Sequence, residues 1–109
     1  LTTNPCAELP LGAWGSCNLG SINLAKFVDM DKVEFCWDSF IDTVHVAVRA
    51  LNDALDYSYD KQPYEENRKY IRDWRPIGLG VFGYADMLVE LGLKYGSEEA
   101  LEFTRKLFH

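Results

Sequence analysis

The sequence predicts an α/β segment that is mostly helical as an isolated piece. Three observations carry this: an amphipathic stripe through residues 33–55, a glycine-punctuated apolar run over 76–82 that leads into a helix, and a proline- and glycine-rich opening stretch. Residues 1–20 hold Pro5, Pro10, Gly12, Gly15 and Gly20 among small polar residues. That composition interrupts the backbone too often for a helix and suggests an ordered loop, a common seat of function. In residues 21–28, Ile22, Leu24 and Phe27 alternate imperfectly, compatible with a short strand or strand end.

Asp31 is an N-cap candidate with Glu34 three residues on, and Met30 is placed to staple onto Phe35. Val33, Trp37, Phe40, Val44, Val48, Leu51 and Leu55 then recur every three or four residues, which predicts a long structural helix over 31–57. Residues 58–75 turn polar. Their Lys61, Arg68, Lys69, Arg72 and Arg75 stand among Tyr59, Tyr64, Tyr70 and Trp74, a mixture that could bind phosphate. Asp60, Glu65, Glu66 and Asp73 offset the basic charge, so the stretch reads as a solvated connector with one short helix. Residues 76–109 read as a strand and two helices. The strand is Pro76–Phe82, and the first helix runs from about Tyr84 to Leu91 and stops at Gly92. Ser97 with Glu98 and Glu99 opens the last helix, whose Ala100, Leu101, Thr104, Leu107 and Phe108 share one side.

The 109 residues suffice for one core, and a start without Met and an end inside an amphipathic run read as a piece of something larger. With 48% hydrophobic and 26% charged residues the composition is that of a soluble globular protein, without an apolar run near the roughly 20 residues of a membrane span. A net charge of −6 argues against a nucleic-acid-coating surface but permits a single nucleotide in a local pocket. Cys6, Cys17 and Cys36 are too few for a secreted disulfide framework, and no C-x-x-C spacing suggests structural zinc; a reducing cytoplasm fits.

Gly78-Leu-Gly80-Val-Phe-Gly83 matches G-x-G-x-x-G, with Glu98 about 20 residues on. The dinucleotide fingerprint needs that acid at the end of a second parallel strand, and Glu98 falls in the first turn of a helix. The glycines are therefore read as letting a strand pass close to neighbouring backbone or a ligand.

The chemistry concentrates near the start. Asn4-Pro5-Cys6-Ala7-Glu8 sets an amide, a thiol and a carboxyl at alternating positions, which an extended backbone projects to one side. A carboxylate can take a proton from a substrate hydroxyl, an amide can fix the substrate, and a thiol can serve as nucleophile or radical carrier. An ordinary turn with a buried cysteine is the plainer alternative. Cys17 lies in Gly15-Ser16-Cys17-Asn18-Leu19-Gly20, whose small neighbours leave its sulfur approachable for thiol exchange. Cys36, beside Trp37 in the expected helix, reads as core packing, and His45 as a surface or packing residue.

Thr3-Asn4-Pro5-Cys6-Ala7-Glu8-Leu9-Pro10-Leu11, followed by Gly15-Ser16-Cys17-Asn18-Leu19-Gly20-Ser21-Ile22-Asn23-Leu24, resembles the ribonucleotide reductase large chain. Arg75-Pro76-Ile77-Gly78-Leu79-Gly80-Val81-Phe82-Gly83-Tyr84-Ala85-Asp86-Met87-Leu88 is similar to a strand and helix further along the same family. Ala7 stands where glycine is common, Leu9 where isoleucine is common, and a proline follows Arg75. None of these removes a reactive group.

The resemblance implies a fragment of a ten-stranded α/β barrel, the thiyl-radical enzyme fold, with residues 1–20 as the finger loop and redox-cysteine segment. It implies that Cys6 becomes the thiyl radical that removes the 3′ hydrogen of a ribonucleoside di- or triphosphate. Glu8 then takes the 3′ hydroxyl proton and Asn4 holds the substrate. Cys17 resembles one member of the cysteine pair that closes to a disulfide, its partner lying upstream of these residues. The resemblance further implies thioredoxin or glutaredoxin as reductant, the remainder of the reductase chain as a partner, a homodimer at full length, and no activity in the isolated chain. The wording of the two cysteine motifs looks more like the adenosylcobalamin-dependent class than the class whose radical comes from a dimetal small subunit. A non-catalytic helical fragment or interaction module with structural cysteines is the rival from another class.

Overall fold

The computed structural model describes residues 2–3 and 9–109. In chain order the elements are β1 (Thr2–Thr3), β2 (Pro10–Leu11), β3 (Asn18–Asn23), a 3₁₀ turn (Leu24–Phe27), β4 (Val28–Asp29) and β5 (Glu34–Phe35). There follow α1 (Trp37–Tyr59), α2 (Glu65–Trp74), β6 (Ile77–Phe82), α3 (Tyr84–Glu90) and α4 (Glu98–Leu107). β1 pairs with β2, β3 with β6 and β4 with β5, so the described residues form two-stranded ladders and close no barrel. The mixed helix–strand character expected from the sequence is present. None of the described helices is long and apolar enough to cross a membrane.

The chain divides into two compact units, Leu1–Gly20 with His45–Leu79, and Ser21–Val44 with Gly80–His109. The second unit contains the main departure from the sequence reading. The helix expected over 31–57 begins only at Trp37, because residues 28–35 form an antiparallel hairpin with Val28 opposite Phe35 and Asp29 opposite Glu34. Asp29, not Asp31, is the turn former: its Oδ1 accepts from the backbone N–H of Asp31 at 3.0 Å and of Lys32 at 3.2 Å. Val33 completes the turn at φ 55°, a conformation β-branched residues rarely adopt, which takes it out of the helical stripe and into solvent.

Cys36 therefore is not packed inside a helix. It is exposed, its N–H donates to the Phe27 carbonyl at 2.7 Å, and its carbonyl accepts from Phe40 as α1 begins. Phe27, Phe35 and Phe40 are buried, and Phe35 meets Trp37 and Phe103 edge-on at 4.7 and 5.5 Å between ring centroids. Such pairs add about 0.5–1.5 kcal/mol each beyond their area burial.

The 3₁₀ turn is capped by Asn23, whose Oδ1 accepts from the Ala25 N–H at 3.2 Å, and α3 packs on it with Met87 and Leu88 fully buried. Ser97 caps α4 as expected, its Oγ accepting from the Ala100 N–H at 3.3 Å. Ala100 and Leu107 are buried, whereas Leu101 and Phe108, expected on the same side, are exposed. Thr104 Oγ1 donates to the Ala100 carbonyl at 2.7 Å, which leaves the Tyr84 hydroxyl as donor in its 2.6 Å bond to Thr104.

In the first unit Leu11, Leu55 and Ile71 are buried. Each such side chain contributes about 1.5–3 kcal/mol relative to exposure. The expected stripe of α1 is only partly realised: Phe40 and Leu55 are buried, Trp37, Val44 and Leu51 half-buried, and Val48 exposed. His45 is exposed. The connector's short helix is α2, ended by Arg75 in the left-handed region at φ 43°.

Candidate functional site

Asn4, Cys6 and Glu8 lie outside the described residues. The residues flanking them are placed: β1 and β2 pair antiparallel, with Thr2 opposite Leu11 and Thr3 opposite Pro10. The chain then makes a turn in which the Gly15 N–H donates to the Gly12 carbonyl at 3.0 Å, and it reaches Cys17 just before β3.

Cys17 is half-buried, and its Sγ donates to the Asn18 carbonyl at 3.3 Å. The Asn18 side chain donates to the Leu51 carbonyl of α1 at 3.2 Å, fixing the start of β3 to a helix. On the β6 side a Cβ added at Gly78 would lie 3.7 Å from Cys17 Sγ and 2.6 Å from Leu19 Cδ2, so a glycine there leaves room beside the thiol. The glycine motif thus serves close approach of β6 to the cysteine strand. That agrees with the packing reading of the G-x-G-x-x-G pattern.

The sequence reading passed over α2 as a plain connector. Its Asn67 donates from Nδ2 to the Trp14 carbonyl at 2.7 Å, Tyr64 meets Trp14 with centroids 5.5 Å apart, and Tyr70 lies against Gly12 and Gly15. Tyr64, Asn67 and Tyr70 are spaced by three, which sets them along one side of a helix; that spacing was the available signal.

Arg68, Arg72 and Arg75 of the connector are engaged by protein groups. Arg68 pairs with Glu65 at 2.8 Å and donates to the Gln62 carbonyl at 2.7 Å. Arg72 is bonded to Asp73, which raises its already high pKa. Arg75, which opens the third family-like motif, donates from Nε to Asn52 Oδ1 at 2.8 Å, from Nη2 to the Asn52 carbonyl at 3.2 Å and from Nη1 to Asp56 Oδ1 at 2.7 Å. The hydrogen bond from Arg75 holds the Asp56 carboxyl below its ordinary range, and the same bond raises the Arg75 guanidinium. These contacts make Arg75 a tie between the end of α2 and α1.

By fold and site the molecule is a mixed helix–strand segment that presents a cysteine at the head of a strand, with a glycine strand beside it. Residues 1–109 match the model of the ribonucleotide reductase barrel domain, and the chain belongs to that family. It is 50% identical over 107 residues to the vitamin B12-dependent ribonucleoside-diphosphate reductase of Thermoplasma acidophilum, covering 97% of this chain and 13% of the relative. Against the vitamin B12-dependent ribonucleoside-diphosphate reductase of Mycobacterium tuberculosis (strain CDC 1551 / Oshkosh) identity is 46% over 105 residues, covering 96% and 15%. The ribonucleoside-diphosphate reductase subunit alpha of Chlamydia pneumoniae is 36% identical over 106 residues, covering 94% and 10%. The chain thus spans between a tenth and a sixth of the length of these relatives.

Proposed function

We propose that this chain is an active-site segment of a ribonucleotide reductase, which converts ribonucleotides to deoxyribonucleotides within a ten-stranded α/β barrel. The observation that carries the reading is the 50% identity, over 97% of this chain, with a vitamin B12-dependent ribonucleoside-diphosphate reductase. In this reading residues 1–20 are the finger loop and redox-cysteine segment. Cys6, as a thiyl radical, removes the 3′ hydrogen, Glu8 takes the 3′ hydroxyl proton, and Asn4 holds the substrate. The 2′ carbon–oxygen bond breaks, the oxygen leaves as water, and Cys6 gives the hydrogen back to C3′, which restores its thiyl radical. Two thiols supply the two electrons and two protons and become a disulfide, with Cys17 one of them and its partner upstream of these residues. Thioredoxin or glutaredoxin then returns the pair to thiols.

The radical source is adenosylcobalamin, which when bound supplies the radical that passes to Cys6. The donor set suits such a group, since the radical needs a thiol to receive it. The half-buried setting of Cys17 beside β6 supports thiol chemistry in a sheltered place. The alternative, a radical from a dimetal small subunit, draws on the 36% identity with the Chlamydia pneumoniae alpha subunit. The substrate is a ribonucleoside diphosphate or triphosphate, the names of the relatives favouring the diphosphate. The full-length protein is a cytoplasmic homodimer, and these 109 residues alone have no turnover.

The test is reduction of a ribonucleoside diphosphate by the full-length protein with dithiothreitol and adenosylcobalamin, without a second subunit, beside a Cys6→Ser variant. Turnover that vanishes in the variant supports both the radical role and the cofactor. Turnover that begins only when a dimetal subunit is added overturns the cofactor assignment and keeps the enzyme. No turnover under either condition overturns the enzyme reading.

A further inference from the structure

Cys17 is held from both sides. After it, Asn18 is bonded to the Leu51 carbonyl of α1. Before it, the Gly12–Gly15 turn lies on α2: Asn67 donates to the Trp14 carbonyl at 2.7 Å, and the space a Cβ at Gly15 would need is taken by Tyr70 Cζ and the Gly12 carbonyl, each 2.9 Å away. Trp14 itself sits at φ 64°, in the left-handed region, with its side chain half in solvent. A non-glycine residue keeps such a conformation only where surrounding contacts over-determine it. Here the bond from Asn67 and the tilted ring contact with Tyr64 are those contacts.

The geometry points to α2 as a clamp that sets the Cys17 thiol for disulfide closure, with Asn67 and Tyr70 as its positioning residues; the redox role of Cys17 rests on the function proposed above. A disulfide tolerates little error. Its sulfurs must come within about 2.05 Å with Cβ atoms about 3.5–4.5 Å apart, and departures make the bond easier to reduce. Cys17 is two residues beyond Gly15, so relaxation of the turn displaces the thiol directly. In the proposed reaction Asn4, which holds the substrate, stands between the paired strands β1 and β2 and Cys17 after the turn, so the clamp is expected to act on the electron-supplying step.

The experiment uses the full-length reductase with its radical source and thioredoxin, reading the midpoint potential of the Cys17 disulfide together with kcat and KM. Asn67→Ala is expected to lower kcat about tenfold with KM for the nucleotide unchanged. It is also expected to raise the midpoint potential by about 30 mV, the equivalent of a tenfold change in the disulfide equilibrium. Asn67→Gln, which keeps an amide donor, recovers most of both. Tyr70→Ala repeats the loss, whereas Tyr70→Phe, which keeps the ring, behaves as wild type. Wild-type potentials in both alanine variants overturn the clamp, as does a loss of kcat with the potential unmoved. Cys17→Ser is the separate control: if it retains full turnover with thioredoxin, the redox role of Cys17 fails and the clamp with it. An inactive Cys17→Ser beside unaffected Asn67→Ala and Tyr70→Ala sinks the clamp alone.

Discussion

Gly83 is the residue whose side chain matters most by being missing. It stands at φ 70° before α3, and a Cβ built on it would collide with Asn23 Oδ1, the atom that caps the 3₁₀ turn. A left-handed non-glycine residue costs roughly 1–2 kcal/mol, and losing the Asn23 bond costs about 0.5–1.5 kcal/mol more. Gly83→Ala is therefore expected to destabilise by about 2 kcal/mol in chemical denaturation. Gly78→Ala should cost less, because what its new Cβ crowds is the movable end of the Leu19 side chain, with Cys17 Sγ at ordinary contact distance. Equal effects at the two positions would refute the distinction. The two glycines look alike in a G-x-G-x-x-G reading. Backbone conformation separates them, and a residue pattern does not encode φ.

At the scale of elements, what periodicity or a cap announces was legible, and what a few residues of local chemistry decide was not. β6, α3 with Gly92 after it, and the Ser97 cap of α4 follow the sequence reading closely. The β4–β5 hairpin was missed because strands of two residues have no period to detect, and the Asp31-to-Glu34 box competes with an Asx turn from Asp29 that takes the Asp31 N–H. The tie between the end of α2 and α1 was equally hidden, since Arg75 is 23 residues from Asn52 and 19 from Asp56.

That tie has a pH dependence with a definite sign. Because Arg75 lowers the folded-state pKa of Asp56, the pair contributes stability above the unfolded carboxylate value near pH 4 and loses it as pH falls through the lower folded value. The pair is solvent-exposed, so the effect is small and screened by salt. Thermal melts from pH 6 downward should show a shallower acid decline in Asp56→Asn than in the parent. Parallel curves would mean that the bond adds nothing.

For the whole molecule, the family was readable because it rests on residue identities in unbroken runs, whereas the contact of α2 with the turn before Cys17 spans 53 residues from Trp14 to Asn67. The two cysteines carry separable parts of the proposed reaction, and that yields a sharper prediction than loss of activity. Removing the 3′ hydrogen needs only Cys6; expelling the 2′ oxygen as water and delivering deoxynucleotide also needs the electrons of the Cys17 pair. In the full-length protein Cys17→Ser should still exchange hydrogen at the 3′ position, measured with 3′-deuterated nucleotide, while forming no deoxynucleotide with thioredoxin. Cys6→Ser should lose both. Exchange that disappears in Cys17→Ser would place that thiol upstream of hydrogen removal, where a radical relay and not a reducing pair would be its task. Product formed by Cys17→Ser at the parent's rate would leave its position beside Gly78 a matter of packing alone.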